Sequence, residues 1–347
     1  MASDSNFLCY EDAMAASPAD SRPEDDSFPV PDDVTPEVAA LLRELGAPNY
    51  RDVPLDSLRN GYVTSRRPLA PEAPGIASVM DQIIGGPAGP LRVRVYRANF
   101  GWRPVPALLF LHGGGWTIGN LESHDILCRQ LAAASGHTIV AVDYRLAPEH
   151  PYPAALDDSW AALTWLADNA ERLAIDPLAI GVAGDSAGAN LAAVLALKAR
   201  DAGGPHLKTQ VLIYPCTDLN ADRPSHQRRA NGYLMSREQY LWYVDNYAAG
   251  ADRNDWRLSP LLADSLAGLP PAVVLTAGLD ILRDEGRDYA ARLAGAGVPV
   301  LHTVYPDMVH GFITLGGRLP QAQKAVADIA KGLASFDIYN FIDGAGI

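Results

Sequence analysis

Leu178-Ala-Ile-Gly-Val-Ala-Gly-Asp-Ser-Ala-Gly-Ala-Asn-Leu-Ala192 is the stretch that decides the fold. Its first half is a short apolar run, its second half is helix-forming, and Gly184-Asp-Ser-Ala-Gly188 joins them. A G-x-S-x-G pattern at such a junction is a strand-to-helix turn that holds its serine on a sharp bend. A Cβ at either glycine would collide with strand or helix, and the serine takes a strained backbone conformation that exposes its hydroxyl. The hydroxyl then stands beside a helix N-terminus, whose unpaired N–H groups and dipole favour developing negative charge. Ser186 is therefore the candidate nucleophile.

Outward from this turn the chain keeps the same rhythm. Residues 78–84 and 91–96 alternate in character around a Gly/Pro-rich turn at 85–90, which predicts an antiparallel hairpin at a sheet edge. Near-continuous apolar runs at 106–111, 137–142, 178–183, 209–214, 272–277 and 298–305 predict strands buried on both faces. Helix-like stretches lie at 122–135, 153–169, 187–201, 283–296 and 320–336. The alternation predicts an α/β fold, a mostly parallel central sheet flanked by helices. Residues 1–76 and 219–256 break the rhythm. We expect them to form a helical cap over the carboxyl ends of the strands, where open α/β sheets hold ligands, with 77–218 and 257–347 as the catalytic domain.

A serine nucleophile needs oxyanion donors, a base and an acid that orients the base. The strand ending at Leu111 runs into His112-Gly113-Gly114-Gly115-Trp116, a loop offering backbone N–H groups to an oxygen that becomes negative during attack. Gly113 and Gly114 are the candidate donors there, and Ala187, which follows the nucleophile, is the third. His112 precedes the serine and is read as a brace for the loop. The chain order serine, acid, histidine selects His310, after the last strand, over His206, His226 and His302. Asp280, at the end of the penultimate strand, is the candidate partner of His310. Asp284 and Glu285 fall in the first turn of the next helix, where acids commonly serve the dipole.

Candidates for the pocket wall are Trp116 and Asp185 near the loop, with Tyr233, Tyr240, Trp242 and Tyr243 in the insertion. For the aromatic residues, simple packing is the competing role.

Composition narrows the partners. The net charge of −13 argues against a nucleic acid or an anionic membrane surface, and ten acids against Arg22 place −9 of it in residues 1–40. That stretch reads as a solvated arm and lacks the features of a secretory signal. No apolar run is long enough to span a membrane. Three scattered cysteines, Cys9, Cys128 and Cys216, form neither a disulfide framework nor a zinc cluster. A soluble, cytoplasmic protein is expected.

Taken together, H-G-G-G-W, G-D-S-A-G, Asp280-Ile-Leu-Arg-Asp-Glu-Gly286 and His310-Gly-Phe312 resemble the hormone-sensitive-lipase-like family of α/β-hydrolase carboxylesterases, especially its bacterial members. The resemblance covers about 78–335 and includes Asp143-Tyr-Arg-Leu-Ala-Pro-Glu-His-Pro-Tyr-Pro-Ala154, similar to that family's D-Y-R-L-A-P-E-x-P-F-P-A stretch, and Arg257-Leu-Ser-Pro-Leu261 after the cap. It departs at Ile281, where many relatives have proline. The resemblance implies a triad of Ser186, Asp280 and His310, hydrolysis of short-chain carboxylic esters through an acyl-enzyme, no metal or cofactor, and a homodimer through the last strand. A carbohydrate or aryl acetylesterase and an amidase of the same fold stay open beside it. A non-catalytic ligand receptor of this fold is the alternative from another class, and the presence of His310 speaks against it.

Overall fold

Both faces of the central strands are covered, so every residue of β5 (Thr138–Val142), β7 (Thr209–Ile213) and β8 (Ala272–Leu279) is buried. The computed structural model describes residues 7–8, 30–46, 50–101 and 103–343, with side chains from residue 30 to Phe336. The other strands are β1 (Phe7–Leu8), β2 (Ser78–Gly86), β3 (Gly89–Arg97), β4 (Val105–Leu111), β6 (Ile175–Asp185) and β9 (Val300–Val309). Among the described residues they form one sheet in the order β1-β9-β8-β7-β6-β4-β5-β3-β2. β3 pairs antiparallel with β2 and β5, and every other pairing is parallel. Alternate residues of β4 serve opposite faces: Leu109 and Leu111 join one hydrophobic core, Leu108 and Phe110 the other.

The helices are α1 (Pro36–Leu45), α2 (Leu55–Arg66), α3 (Asp125–Ser135), α4 (Ala154–Asp168), α5 (Ala187–Ala202), α6 (Pro224–Arg228), α7 (Arg237–Ala248), α8 (Arg283–Gly295) and α9 (Pro320–Asp343). α5 is buried nearly all round. Its run of alanines combines high helix propensity with side chains small enough for close packing on the sheet. The sequence places the start of α3 at 122, but the helix begins at Asp125. Asn120 and Ser123 instead bond each other, Ser123 N–H to Asn120 Oδ1 and Asn120 N–H to Ser123 Oγ, both at 2.9 Å, and this turn holds the chain out of the helix.

The two segments outside the strand–helix rhythm share the cores of the sheet. Val38, Leu41 and Leu42 of α1 pack in the cluster of Phe110 and Ile213, and Tyr240, Val244 and Tyr247 of α7 pack in that of Leu109 and Val182. Most of the acidic N-terminal stretch, with Cys9, lies outside the described residues. The neck of the 219–256 insertion is pinned by Asn190 of α5, whose Nδ2 donates to Cys216 O at 3.0 Å and Leu258 O at 2.8 Å. Asn190→Leu leaves two buried carbonyls unpaired, and a loss of about 1–3 kcal/mol in urea unfolding is expected; unchanged stability would show the neck is held elsewhere.

Candidate active site

The turn after β6 has the geometry its sequence demands. Ser186 sits at φ 55° and ψ −119°, and its N–H donates to Ile213 O at 2.9 Å. A Cβ on Gly188 would stand 1.9 Å from Leu111 O, and one on Gly184 would stand 2.4 Å from the Gly188 backbone. Neither position tolerates another residue without moving backbone.

Ser186 Oγ lies 2.8 Å from His310 Nε2, and His310 Nδ1 lies 2.7 Å from Asp280 Oδ2. The other carboxylate oxygen of Asp280 accepts the N–H of Leu282 at 2.9 Å, which fixes the carboxylate plane. All three side chains are buried, Ser186 and His310 at 8% and 9% exposure and Asp280 at 1%. Asp280 follows β8 and His310 follows β9, adjacent parallel strands, so two residues thirty positions apart meet at one end of the sheet. The three rivals to His310 lie elsewhere. His302 bonds Thr276 at 2.9 Å inside the sheet, His226 pairs with Glu285 at 2.7 Å, and His206 is exposed in a connector.

Asp284 and Glu285 hold the insertion to α8. Asp284 accepts the N–H of Ser225, and Glu285 accepts those of Thr217 and Asp218.

The glycine loop requires one correction. Gly113, expected as an oxyanion donor, gives its N–H to Asp185 Oδ1 at 2.8 Å. That carboxylate also accepts the Tyr214 hydroxyl at 3.3 Å and lies 3.1 Å from His124 Nε2. Burial alone would raise its carboxyl, yet the His124 ring and the Gly113 N–H hold it below the usual carboxylate range. Gly114 and Gly115 border the cavity above Ser186, and the N–H of neither meets an acceptor among the described residues. Ala187 opens α5, where first-turn N–H groups have no helical partner. His112 braces the loop from within: Nδ1 bonds Gly113 O at 2.9 Å, and its ring stacks on Tyr144 at 4.2 Å.

The cavity has a volume of about 350 Å³. Its walls come from α2, through Leu58, Gly61, Tyr62 and Arg66, and from Leu234, Met235, Gln239 and Tyr243 of the insertion. Four pocket candidates are corrected. Trp116 is buried against Tyr247, the rings stacked at 4.3 Å. Tyr233 donates its hydroxyl to Asp33 at 2.7 Å and bonds Arg229, which is itself ion-paired with Asp33. Trp242 packs on Tyr50 and Tyr243, outside the cavity. Asp185 borders the cavity but is committed to the loop. Tyr240 is likewise turned away and bonds Asp218 O and Cys216 Sγ. The α2 face was missed: residues 58, 61, 62, 65 and 66 share one side of the helix, but only Leu58 and Tyr62 among them are apolar or aromatic, so the sequence shows no clear stripe.

Acid should destabilise the fold. Burial pushes His112 down to about 3 and His302 down to about 4. An unfolded histidine takes up its proton near 6.5, so between there and the folded values the unfolded state binds more protons and stability falls as pH falls. Urea unfolding from pH 6 to 4.5 is expected to lose up to about 1.4 kcal/mol per pH unit for each imidazole. His302→Gln should remove one share of that slope; a flat profile would contradict the buried neutral rings.

Among the described residues no helix is long and apolar enough to cross a membrane, and no group of three or more His, Cys, Asp or Glu is arranged to hold a metal ion. A sequence model of the alpha/beta hydrolase fold matches residues 108–314. The chain is 41% identical over 269 residues to esterase LipI of Mycobacterium tuberculosis, covering 75% of this chain and 81% of that protein. It is 44% identical over 253 residues to carboxylesterase NlhH of the same organism, covering 70% and 76%. A hyperthermophilic esterase from Pyrobaculum calidifontis superposes with a TM-score of 0.82 at 39% identity, over 88% of this chain and 99% of that one.

Proposed function

The chain belongs to the α/β-hydrolase family, in its hormone-sensitive-lipase-like branch, and from that premise we propose that it hydrolyses small carboxylic esters with Ser186 as nucleophile, His310 as base and Asp280 as the acid that orients it. The observation that carries this is the continuous chain of contacts from Asp280 through His310 to Ser186, 2.7 and 2.8 Å long, on the floor of a cavity. His310 Nε2 takes the Ser186 proton as Oγ attacks the ester carbonyl carbon. The carbonyl oxygen becomes negative and accepts the N–H groups of Gly114, Gly115 and Ala187. His310 then returns its proton to the leaving alcohol oxygen, and an acyl-enzyme remains. Water, deprotonated by the same histidine, releases the acid. Asp280 accepts from Nδ1 and holds the tautomer that leaves Nε2 free.

In this proposal α1, α2 and residues 219–256 act as the cap. A cavity of about 350 Å³ is at the small end for ligand sites, which favours short acyl groups. Purified protein should turn over p-nitrophenyl acetate and butyrate, with kcat/KM falling steeply by the dodecanoate; no turnover of any member would overturn the esterase reading, and a rising series would overturn the size limit. A homodimer along β9 belongs to the same proposal. Among the described residues β1 covers only Val300 and Leu301 of that edge, and light scattering at one chain mass would refute it. Cys128 and Cys216 are buried free thiols, in keeping with a cytoplasmic location.

A further inference from the structure

One charged side chain on the cavity wall has no part in the chemistry above. Arg66 ends α2 and is half-buried. Its Nη1 donates to Thr314 Oγ1 at 3.3 Å, and its guanidinium lies 5.1 Å from the centre of the Tyr62 ring. A Cβ placed on Gly311 would stand 3.5 Å from Nη1 and 3.6 Å from Nη2, so the cation rests against the residue that follows His310. No carboxylate among the described residues pairs with it. Arg59, on the same helix, shows the contrast: its two Nη atoms grip Glu149 at 2.9 and 2.7 Å. Among the described residues the one carboxylate bordering the cavity, Asp185, already holds the Gly113 N–H.

A guanidinium has five N–H donors in a rigid fork shaped for a carboxylate, and Thr314 occupies only Nη1. The position of the fork says which half of an ester it faces. The carbonyl oxygen belongs with Gly114 and Gly115, whereas His310 delivers its proton to the leaving oxygen, and Arg66 lies on the His310 side.

We propose that Arg66 is a specificity residue that selects esters whose leaving alcohol or phenol carries a carboxylate. The proposal rests on the assignment of Ser186, His310 and Asp280, and it adds no covalent step to that cycle. The carboxylate is held at Arg66 while the leaving oxygen takes the proton of His310.

The test compares 4-acetoxybenzoate with its neutral analogue 4-acetoxybenzamide. A charge-assisted pair at this depth should make the ratio of their kcat/KM values fall about tenfold to a hundredfold in Arg66→Gln, with part of the ratio recovered in Arg66→Lys. An equal ratio in wild type and Arg66→Gln overturns the proposal, because a residue that only steadies α2 would depress both substrates alike. Binding of the two esters to Ser186→Ala, which does not depend on turnover, gives the second reading. Preference for the anion there supports Arg66 even if neither ester is hydrolysed, a result that would instead refute the esterase assignment. Equal binding of both esters to Ser186→Ala overturns it whether or not Arg66→Gln folds.

Discussion

Ser186→Ala lowers kcat for p-nitrophenyl acetate by about 10⁴- to 10⁶-fold, leaving only what the N–H donors and binding can do without a nucleophile. The fold should survive the change. The Ser186 N–H keeps its bond to Ile213 O, and an alanine loses only the hydroxyl that meets His310. Thermal melting within a few degrees of wild type, beside the lost rate, separates chemistry from unfolding. Retention of more than about a hundredth of the rate would mean that another group carries the attack.

Asp280→Asn is the second large effect, about 10⁴ in kcat, because an amide can donate to Nδ1 and so trap the tautomer whose proton sits on Nε2. The neighbouring acids give the control. Asp284→Asn weakens the acceptor for Ser225 N–H, and Glu285→Gln disturbs Thr217, Asp218 and the pair with His226. Each should lower stability by about 1–3 kcal/mol while changing kcat little. If Asp284→Asn is the more damaging to kcat in folded protein, the acid has been misassigned.

The sheet was legible because its central strands are buried on both faces and so read as unbroken apolar runs. The alignment of Asp280, His310 and Ser186 was legible because their chain order and their places at strand ends are both constrained. Gly113 was misread for a reason no local pattern carries. Which N–H of three consecutive glycines stays free depends on Asp185, which leaves the adjacent strand β6 and captures the first of them. The aromatic residues misled in a similar way. Tyr240 turns into the core, and Trp116 stacks on Tyr247, since the buried face of α7 is chosen by what packs against it. α2 offered little signal of its own: Asn60 and Gly61 weaken it as a helix, and none of its residues is buried. Its role comes from position alone, over Ser186.

Rapid quenching of the protein with p-nitrophenyl acetate, followed by peptide mass spectrometry, tests the central claim most directly. The expected result is an acetyl group on the peptide carrying Ser186, formed at the rate of the first burst of nitrophenol and absent in Ser186→Ala. Full turnover with that peptide unmodified, or an acetyl group kinetically competent at another residue, would contradict a mechanism built on Ser186.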